Sequence, residues 1–194
     1  MLIAIEGIDG SGKTTISRYV KEILERKNFQ CVILKEPTEG KYGKILKNLE
    51  KRPDAEKELK LFLLDRMEDV QKNIIPALKE GKIVIMDRYY YSSIAYQSAR
   101  GINAEKIREL NEKIAPKPDL VILLDVEPEI GFERIKKRTK LTPFEELEYL
   151  KKVREAFLKN ADERTVIIDA NRDLEDVKRD VKKVICSFLS KLYD

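Results

Sequence analysis

The stretch Gly7-Ile8-Asp9-Gly10-Ser11-Gly12-Lys13-Thr14, near the start of this 194-residue chain, decides the fold. It matches the phosphate-binding loop pattern G-x-x-x-x-G-K-[ST] at every position. The apolar run at residues 2–5 precedes it, as a buried strand would, and a helical pattern follows over about 13–27. Because strand, glycine-rich loop and helix stand in the order that such a site requires, the stretch predicts a loop that binds a nucleoside triphosphate.

Each part of this loop has an expected role. Backbone N–H groups would converge on the phosphate oxygens, and the start of the helix would add the positive end of its dipole. We expect Lys13 to reach the β- and γ-phosphates and the Thr14 hydroxyl to bind Mg²⁺. The predicted ATP-binding segment comprises Gly7, Ile8, Asp9, Gly10, Ser11, Gly12, Lys13, Thr14 and Thr15.

Composition limits the other possibilities. The net charge is only +4 although 38% of residues are charged, which disfavours a dedicated nucleic-acid binder. No run approaches the roughly 18 apolar residues of a membrane span, and no secretory signal is evident, so we expect a cytoplasmic protein with no membrane partner. Histidine is absent. Any catalysis must therefore use Lys, Arg, Asp, Glu and a metal ion.

Five apolar runs predict the strands, and they lie at residues 2–5, 31–34, 83–86, 120–124 and 165–168. They are nearly continuous rather than alternating, which is typical of a parallel sheet covered on both faces. Helical patterns separate them at about 13–27, 54–80, 104–114, 128–137, 144–160 and 174–192. The chain is therefore predicted to be α/β, with a five-stranded doubly wound parallel sheet flanked by helices, in one domain over residues 1–194.

Ligands of such sheets bind beyond the carboxyl ends of the strands. Asp87 and Asp125 each follow a hydrophobic strand, as a metal-site carboxylate would, and the sequence leaves open which of them serves the metal. Arg88 comes directly after Asp87, and its guanidinium is suited to bridging donor and acceptor phosphates.

Three other features allow two interpretations each. Arg66, inside a helical pattern, is by default a salt-bridged helix arginine. The tyrosines at 89–91 and 96 either pack in the core or line a pocket for a planar ligand. The basic run at 133–140 is either a solvated helix face or a lid whose cations close on the nucleotide.

Motifs along almost the whole chain resemble those of the thymidylate kinase family, which are nucleoside monophosphate kinases that phosphorylate dTMP with ATP. The phosphate loop alone is shared by many kinases, whereas its combination with Asp87-Arg88-Tyr89 is much more specific. The matching segments are 5–15, Glu36-Pro37, Leu61-Phe62 with Asp65-Arg66, 87–89, 92–97, 117–121 and Asp169-Ala170.

The resemblance implies roles for particular residues on the acceptor side. Phe62 would stack on thymine, and Arg66 would hydrogen-bond the base edge. Arg88 would contact the dTMP phosphate, and Asp9 would reach the acceptor sugar. The implied dTMP-binding set is Glu36, Pro37, Phe62, Arg66, Arg88, Ser92, Tyr96 and Gln97, and the implied catalytic set is Lys13, Asp9, Arg88 and Arg138.

The resemblance also concerns the donor side and the assembly. Some family members carry a basic residue in the loop where this chain has Gly10, and others supply arginines from a lid. Gly10 together with the basic run places this P-loop kinase among the members that supply arginines from a lid. The lid would lie at about 134–146, with Arg138 or Arg134 as the closing cation. The resemblance also assigns Arg134 to the ATP site. Thr14 and Asp87 would serve Mg²⁺, and a homodimer is implied.

Departures from the family pattern keep alternatives open. Thr38-Glu39-Gly40 replaces the glycine pair that often follows Glu36-Pro37, and Lys47 stands at best for an arginine that binds the acceptor phosphate. Pro143 replaces an arginine of the lid. A kinase for dUMP or dCMP is the alternative enzyme. A protein of another class, an ATP-dependent switch, is the second alternative. A guanine-nucleotide switch is not, because this sequence lacks the N-K-x-D motif that reads the guanine base.

Overall fold

The five predicted runs form one parallel sheet. The computed structural model describes residues 1–136 and 146–193, and its strands are β1 (Leu2–Glu6), β2 (Cys31–Lys35), β3 (Ile83–Asp87), β4 (Leu120–Asp125) and β5 (Thr165–Asp169). Each strand begins where the sequence predicted and runs one residue further. The order across the sheet is β2-β3-β1-β4-β5, and every neighbouring pair is parallel. The predicted α/β architecture is confirmed.

The register brings the carboxyl ends of the central strands together. Ile5 of β1 pairs with Asp87 of β3, and Glu6 pairs with Leu123 of β4. The phosphate loop after β1 therefore lies between the ends of β3 and β4. This is the edge at which open parallel sheets bind their ligands.

The helices agree with the predicted patterns except in three places, of which two are additional helices and one is an interruption. They are α1 (Lys13–Glu25), α2 (Lys41–Lys47), α3 (Ala55–Asp69), α4 (Ile75–Lys79), α5 (Tyr90–Ser98), α6 (Ala104–Glu112), α7 (Pro128–Lys136), α8 (Leu147–Lys159) and α9 (Leu174–Tyr193). Neither α2 nor α5 was predicted. Because residues 90–97 are buried on every side, α5 has no polar face to reveal a helical period.

The long helix predicted over 54–80 is interrupted. A π-helical turn at Val70–Ile74 separates α3 from α4. Pro76 lies in the first turn of α4 and has no N–H to donate to the preceding turn, so the regular hydrogen-bond ladder cannot continue through it. The apolar stripe of this segment is also divided: Leu59 and Ile74 are buried, whereas Met67 is 38% exposed.

The core lies on both faces of the central strands. All residues of β1 and β3 are buried, as the continuous apolar runs predicted. The edge strand β5 differs, because Val166 and Ile167 are exposed. Coverage on both faces therefore holds for the centre of the sheet and not for this edge. None of the helices described is long and apolar enough to cross a membrane.

Candidate active site

The phosphate loop joins β1 to α1 with the backbone that its glycines permit. Gly10 and Gly12 have φ angles of 80° and 96°, in the left-handed region that side chains disfavour. Gly12 ends the loop, and α1 begins at Lys13. The positive end of the helix dipole therefore lies at the loop, as an anion site requires.

The Lys13 side chain is held by the loop itself. Its ammonium group donates to the carbonyl oxygens of Gly7 and Ile8 at 3.1 and 2.7 Å. Burial, with a contribution from Arg88, lowers the pKa of Lys13 to about 7. A phosphate anion beside this nitrogen would favour its charged form. The arrangement therefore suits an ammonium group that exchanges carbonyl partners for phosphate oxygens.

Thr14 and Asp87 meet at the end of β3. The Thr14 hydroxyl donates to Asp87 Oδ2 at 2.5 Å, and Lys35 Nζ lies 3.5 Å from the same oxygen. Asp87 Oδ1 is buried and has no hydrogen-bond partner among the described residues. Mg²⁺ prefers oxygen ligands and keeps much of its water, so it needs few protein groups. The Thr14 hydroxyl and the Asp87 carboxylate, with its unpartnered Oδ1, therefore fit a hydrated magnesium ion.

Asp125, the other carboxylate that the sequence left open, has a different environment. Arg154 donates to both of its oxygens, at 2.7 and 3.0 Å. Its charge is thus already compensated by a guanidinium group. Within the described part of the chain, no group of three or more acidic, histidine or cysteine side chains could hold a metal by itself.

Arg88 links the phosphate loop to α5. Its guanidinium donates to Asp9, to the Gly7 carbonyl at 3.3 Å and to the Ser92 hydroxyl at 3.2 Å, and it lies over the Tyr96 ring. Burial disfavours the charge, but Asp9 outweighs it and raises the pKa of Arg88. The φ angle of Arg88 is 73°, which is strained for a non-glycine residue. The backbone is therefore strained at the residue whose side chain contacts the phosphate loop.

Buried Glu6 holds the turn that carries Arg88. Its carboxylate accepts from the backbone N–H groups of Tyr89 and Ser92 at 2.8 and 3.1 Å. It also accepts from the Ser92 hydroxyl at 2.5 Å. Burial raises the pKa of Glu6, although these hydrogen bonds and the charge of Arg88 oppose the rise. A carboxylate at this place satisfies the N–H groups at the start of α5.

Arg66 is salt-bridged, as the default interpretation expects, and it also lines the cavity next to the loop. It is 1% exposed, and its guanidinium pairs with both oxygens of Glu36. Nη1 donates to Ser93 at 3.1 Å and to Asn111. A guanidinium has five N–H donors, and these contacts within the described structure use four. One N–H of Nη2 remains for a ligand. Burial raises the pKa of Glu36 to about 7, against the effect of Arg66.

One cavity of about 270 Å³ adjoins the loop, close to the lower end of the size range of ligand pockets. Every residue that the sequence assigned to dTMP binding lines it. The lining consists of Asp9, Glu36, Pro37, Leu46, Lys47, Leu49, Phe62, Arg66, Arg88, Tyr89, Ser92, Ser93, Tyr96 and Gln97.

The tyrosine cluster divides between this cavity and the core. Tyr89 and Tyr96 line the cavity, and the Tyr96 hydroxyl donates to Asp9 at 2.8 Å. Tyr90 and Tyr91 do not line it and are buried in the core, where the Tyr91 hydroxyl bonds Asp162. Tyr89 and Tyr96 therefore line a pocket while Tyr90 and Tyr91 pack in the core, so neither interpretation holds for the whole cluster. In a helix, side chains one residue apart point in different directions.

Sequence reasoning missed two apolar residues of the cavity. Leu46 and Leu49 enter from α2 and the segment after it, a helix that was not predicted. The signal was a pair of leucines in an otherwise basic stretch. Ser93 and Asn111 were also missed as side chains that hold Arg66 in place.

Helix α7 packs on the phosphate loop through two glycines. A Cβ atom at Gly10 would overlap the carbonyl group of Gly131, and one at Gly131 would lie 2.7 Å from the Asp9 carbonyl oxygen. Arg134, one turn along, donates to the carbonyls of Gly10 and Ala170 at 3.4 and 3.2 Å. Arg134 therefore lies beside the phosphate loop, and its role at ATP stays a prediction. Arg138, and the predicted lid apart from its ends, fall outside the described residues.

Comparison with known proteins agrees with this site. The family described as thymidylate kinase matches residues 5–181. The chain belongs to the thymidylate kinase family. A probable thymidylate kinase from Archaeoglobus fulgidus is 62% identical over 190 residues, which cover 98% of this chain and 97% of the relative.

More distant members of the thymidylate kinase family also match over nearly their full length. A probable thymidylate kinase from Thermococcus onnurineus is 42% identical, covering 95% of this chain and 97% of the relative. One from Pyrococcus horikoshii is 42% identical, covering 94% of both. The chain is thus a phosphotransferase, and the phosphate-loop kinase fold that its motifs indicated is confirmed.

Proposed function

We propose that this chain transfers the γ-phosphate of ATP to dTMP, giving dTDP and ADP, within one kinase domain over residues 1–194. An oxygen of the acceptor phosphate forms a bond to the γ-phosphorus. The bond from that phosphorus to the bridging oxygen of ADP breaks. Phosphoryl transfer of this kind depends on positioning and charge stabilisation rather than on covalent chemistry by the protein.

The observation that carries the proposal is the position of one cavity. It ends at Asp9 and Arg88, which contact each other beside the phosphate loop, and it extends to Phe62 and Arg66 on α3. A nucleoside monophosphate has a phosphate at one end and a base at the other. In the cavity, Arg88 lies at the end next to the phosphate loop, where the acceptor phosphate would bind, and Phe62 and Arg66 lie at the other end, where the base would bind.

At the base end, we propose that Phe62 stacks on the pyrimidine and Arg66 donates its remaining N–H to the base edge. Arg66 is suited to this because Glu36, Ser93 and Asn111 fix its plane. A donor that cannot turn discriminates better than a mobile one. Tyr96, Gln97, Ser92 and Pro37 complete the walls.

At the phosphate end, we propose that Arg88 bridges the acceptor phosphate and the γ-phosphate. Lys13 would neutralise the β- and γ-phosphates, and Arg134 would approach from α7. Lys47 lines the cavity and pairs with exposed Glu39, so it is available to bind the acceptor phosphate. Arg138 stays a predicted closing cation. These cations would stabilise the charge that develops on the transferred group.

We propose that Mg²⁺ binds with ATP at Thr14 and Asp87, and that Asp125 has no part in this. When bound, the ion neutralises phosphate charge and aligns the transferred group. The unpartnered Asp87 Oδ1 and the Thr14 hydroxyl beside Oδ2 support the assignment. The engagement of Asp125 by Arg154 supports the second part.

The proposal is tested by ADP release with a panel of monophosphates. With ATP and Mg²⁺, the highest kcat/KM is expected for dTMP, then dUMP, with dCMP and purine nucleotides far lower. A clear preference for AMP or CMP would refute the assignment. Slow ATP hydrolysis that no monophosphate accelerates would favour an ATP-dependent switch instead.

Cytoplasmic location and homodimer formation are part of the same proposal. Met67 on α3 and Ile45 on α2 are large apolar side chains left exposed, which supports a further contact at this side of the molecule. Sedimentation at several protein concentrations would measure the oligomeric state. A monomer at every concentration would refute the dimer.

A further inference from the structure

Gln97 has one polar atom that its surroundings leave unused. The residue is fully buried and lines the acceptor cavity. Its Nε2 donates to Glu58 Oε1 at 2.9 Å, whereas its Oε1 has no hydrogen-bond partner among the described residues. Buried carbonyl oxygens without a partner are uncommon in folded proteins. A ligand in the cavity is the natural source of the missing donor.

Glu58 decides which end of the amide faces the cavity. It lies on α3, is fully buried, and accepts at both oxygens. Arg52 donates to Oε1 at 2.6 Å and to Oε2 at 2.8 Å, and Arg100 donates to Oε2 at 2.9 Å. A carboxylate held by two guanidinium groups has only acceptors to offer. The amide nitrogen of Gln97 must therefore face Glu58, and its carbonyl oxygen must face away.

The surrounding contacts keep this arrangement in place. Arg52 also donates to the Tyr149 hydroxyl at 2.9 Å, and that hydroxyl donates to the backbone carbonyl of Tyr96 at 2.5 Å. The network thus joins α3, α5 and α8 around Gln97. If the amide turned over, its carbonyl would face the Glu58 carboxylate with no proton between them. A buried hydrogen bond would be lost and an acceptor would oppose an acceptor.

Both Arg66 and Gln97 line the cavity, and each has an unused group: an N–H of Arg66 and the carbonyl oxygen of Gln97. Thymine and uracil carry an acceptor, O4, beside a donor, N3–H. Cytosine carries the reverse, an amino group beside an unprotonated N3. A site built to hydrogen-bond a given edge rejects the reversed pattern strongly, because its buried polar groups are left unpaired. The orientation of one amide thus separates the two classes of pyrimidine.

We propose that Glu58 is a positioning residue that holds the Gln97 carbonyl towards the cavity, and so makes the site select pyrimidines with an N3–H over cytosine. The inference rests on the proposed function, because it concerns the base of the same acceptor.

The first test is Glu58→Gln. The new side chain offers an amide nitrogen, so Gln97 can reverse and present its own nitrogen to the cavity. Relative to wild type, the ratio of kcat/KM for dTMP to that for dCMP should fall by at least about tenfold. The loss should lie in KM for dTMP, with kcat little changed. An unchanged ratio would overturn the proposal.

A charge-conserving exchange, Glu58→Gln with Gln97→Glu, tests the orientation directly. The carboxylate then at position 97 accepts from the amide at position 58 with one oxygen and from N3–H of the base with the other, so neither group has to turn. The dTMP preference should return towards the wild-type value. If Glu58 acted only by holding its two arginines, the exchange would recover nothing, and that result would contradict the proposal.

Asp162→Asn is the matched control. Asp162 also lies between an arginine, Arg108, and a group on α5, the Tyr91 hydroxyl, but it does not line the cavity. Its loss should leave the dTMP-to-dCMP ratio unchanged. An equal fall in this variant would mean that any disturbance of α5 lowers selectivity, and would overturn the special role of Glu58.

Two further measurements separate the possible failures. Wild-type protein that does not phosphorylate dTMP would refute the proposed function, whereas wild type that uses dTMP and dCMP equally would refute only this inference. If Glu58→Gln does not fold, the Gln97 side-chain amide in wild-type protein serves instead. Slow proton exchange in its NMR signals supports the bond to Glu58, and rapid exchange with solvent overturns it.

Discussion

The acceptor side and the donor side of this site are built differently. On the acceptor side, buried side chains fix one another: Glu36 holds Arg66, and Glu58 holds Gln97. On the donor side, the loop backbone holds Lys13 through its own carbonyl oxygens. The first arrangement defines a shape and a pattern of donors before a ligand arrives. On the donor side, a phosphate anion only has to replace the loop carbonyl oxygens as the partners of Lys13, so this arrangement suits any nucleoside triphosphate.

The largest effect is expected on the donor side, from Lys13→Ala. The variant should lose about 10²–10³-fold in kcat, because a charge that stabilises the transferred group is removed. The free energy of unfolding should change little, since the ammonium contacts only groups of the loop itself, the Gly7 and Ile8 carbonyls and the Ser11 hydroxyl. Lys21→Ala, on an exposed part of α1, is the control. Near-normal turnover of Lys13→Ala would show that Lys13 does not stabilise the transferred group.

Asp87→Asn should come next, with a loss of about 10²-fold in kcat/KM at low Mg²⁺ that higher Mg²⁺ partly restores. The measurement is a magnesium titration of the rate. Asp125→Asn is the matched control, since it also removes a carboxylate at a strand end but one that Arg154 engages. A larger shift of the magnesium dependence in the control would reverse the assignment of the two residues.

Arg66→Ala should affect the acceptor side alone. KM for dTMP should rise by about tenfold or more while KM for ATP stays near the wild-type value, since only the base edge loses a donor. The unfolding free energy should fall by about 3–5 kcal/mol, because Glu36 is left buried without its partner. Kinetics with each substrate varied, together with a denaturant titration, would measure both. Equal rises in the two KM values would mean that Arg66 is purely structural.

Gly131→Ala should produce a smaller change, with its largest effect on ATP. The added carbon would press on the Asp9 carbonyl and shift the loop, so kcat/KM for ATP should fall by about tenfold. The same helix offers Glu133→Ala, outside the contact with the loop, as a control. If both variants have the same kcat/KM for ATP, the contact between α7 and the loop does not affect the use of ATP.

A pH dependence of the unfolding free energy is expected from Glu36. Its pKa is about 7 in the folded protein and 4.5 as the ordinary value, so between these pH values the folded state holds a proton that the unfolded state has lost. Stability from this group therefore falls as pH rises from 4.5 to about 7. Relative to Glu36→Gln, which cannot titrate, wild type should lose unfolding free energy across this window. A nearly constant difference across this window would mean that Arg66 keeps Glu36 ionised throughout.

The same contrast explains what the sequence could predict. The loop, Lys13 and the strands are local patterns whose meaning depends on neighbouring residues, and these predictions agree with the structure. Resemblance to a family supplied the acceptor residues, and all of them line one cavity. Their roles stay predictions. The contacts of Glu58 with Gln97 and of Arg66 with Asn111 join residues 39 and 45 positions apart. No short pattern reveals such pairs.

Helix α5 shows a second limit. Its residues are buried on every side, so the helical period is invisible, and the sequence left open whether its tyrosines pack in the core or line a pocket. Only the fold decides that Tyr90 and Tyr91 turn into the core. Likewise, the single helix predicted over 54–80 ignored the effect of Pro76, which a backbone argument could have found.

The meeting of two glycines between the loop and α7 restricts how this enzyme can be altered. Placing a basic residue at position 10 demands more than one substitution, because the backbone of α7 at Gly131 occupies the space. The helix would have to withdraw first, and Arg134 would leave with it. If Arg134 approaches ATP as proposed, a basic side chain at position 10 would thus compete with the helix that carries Arg134.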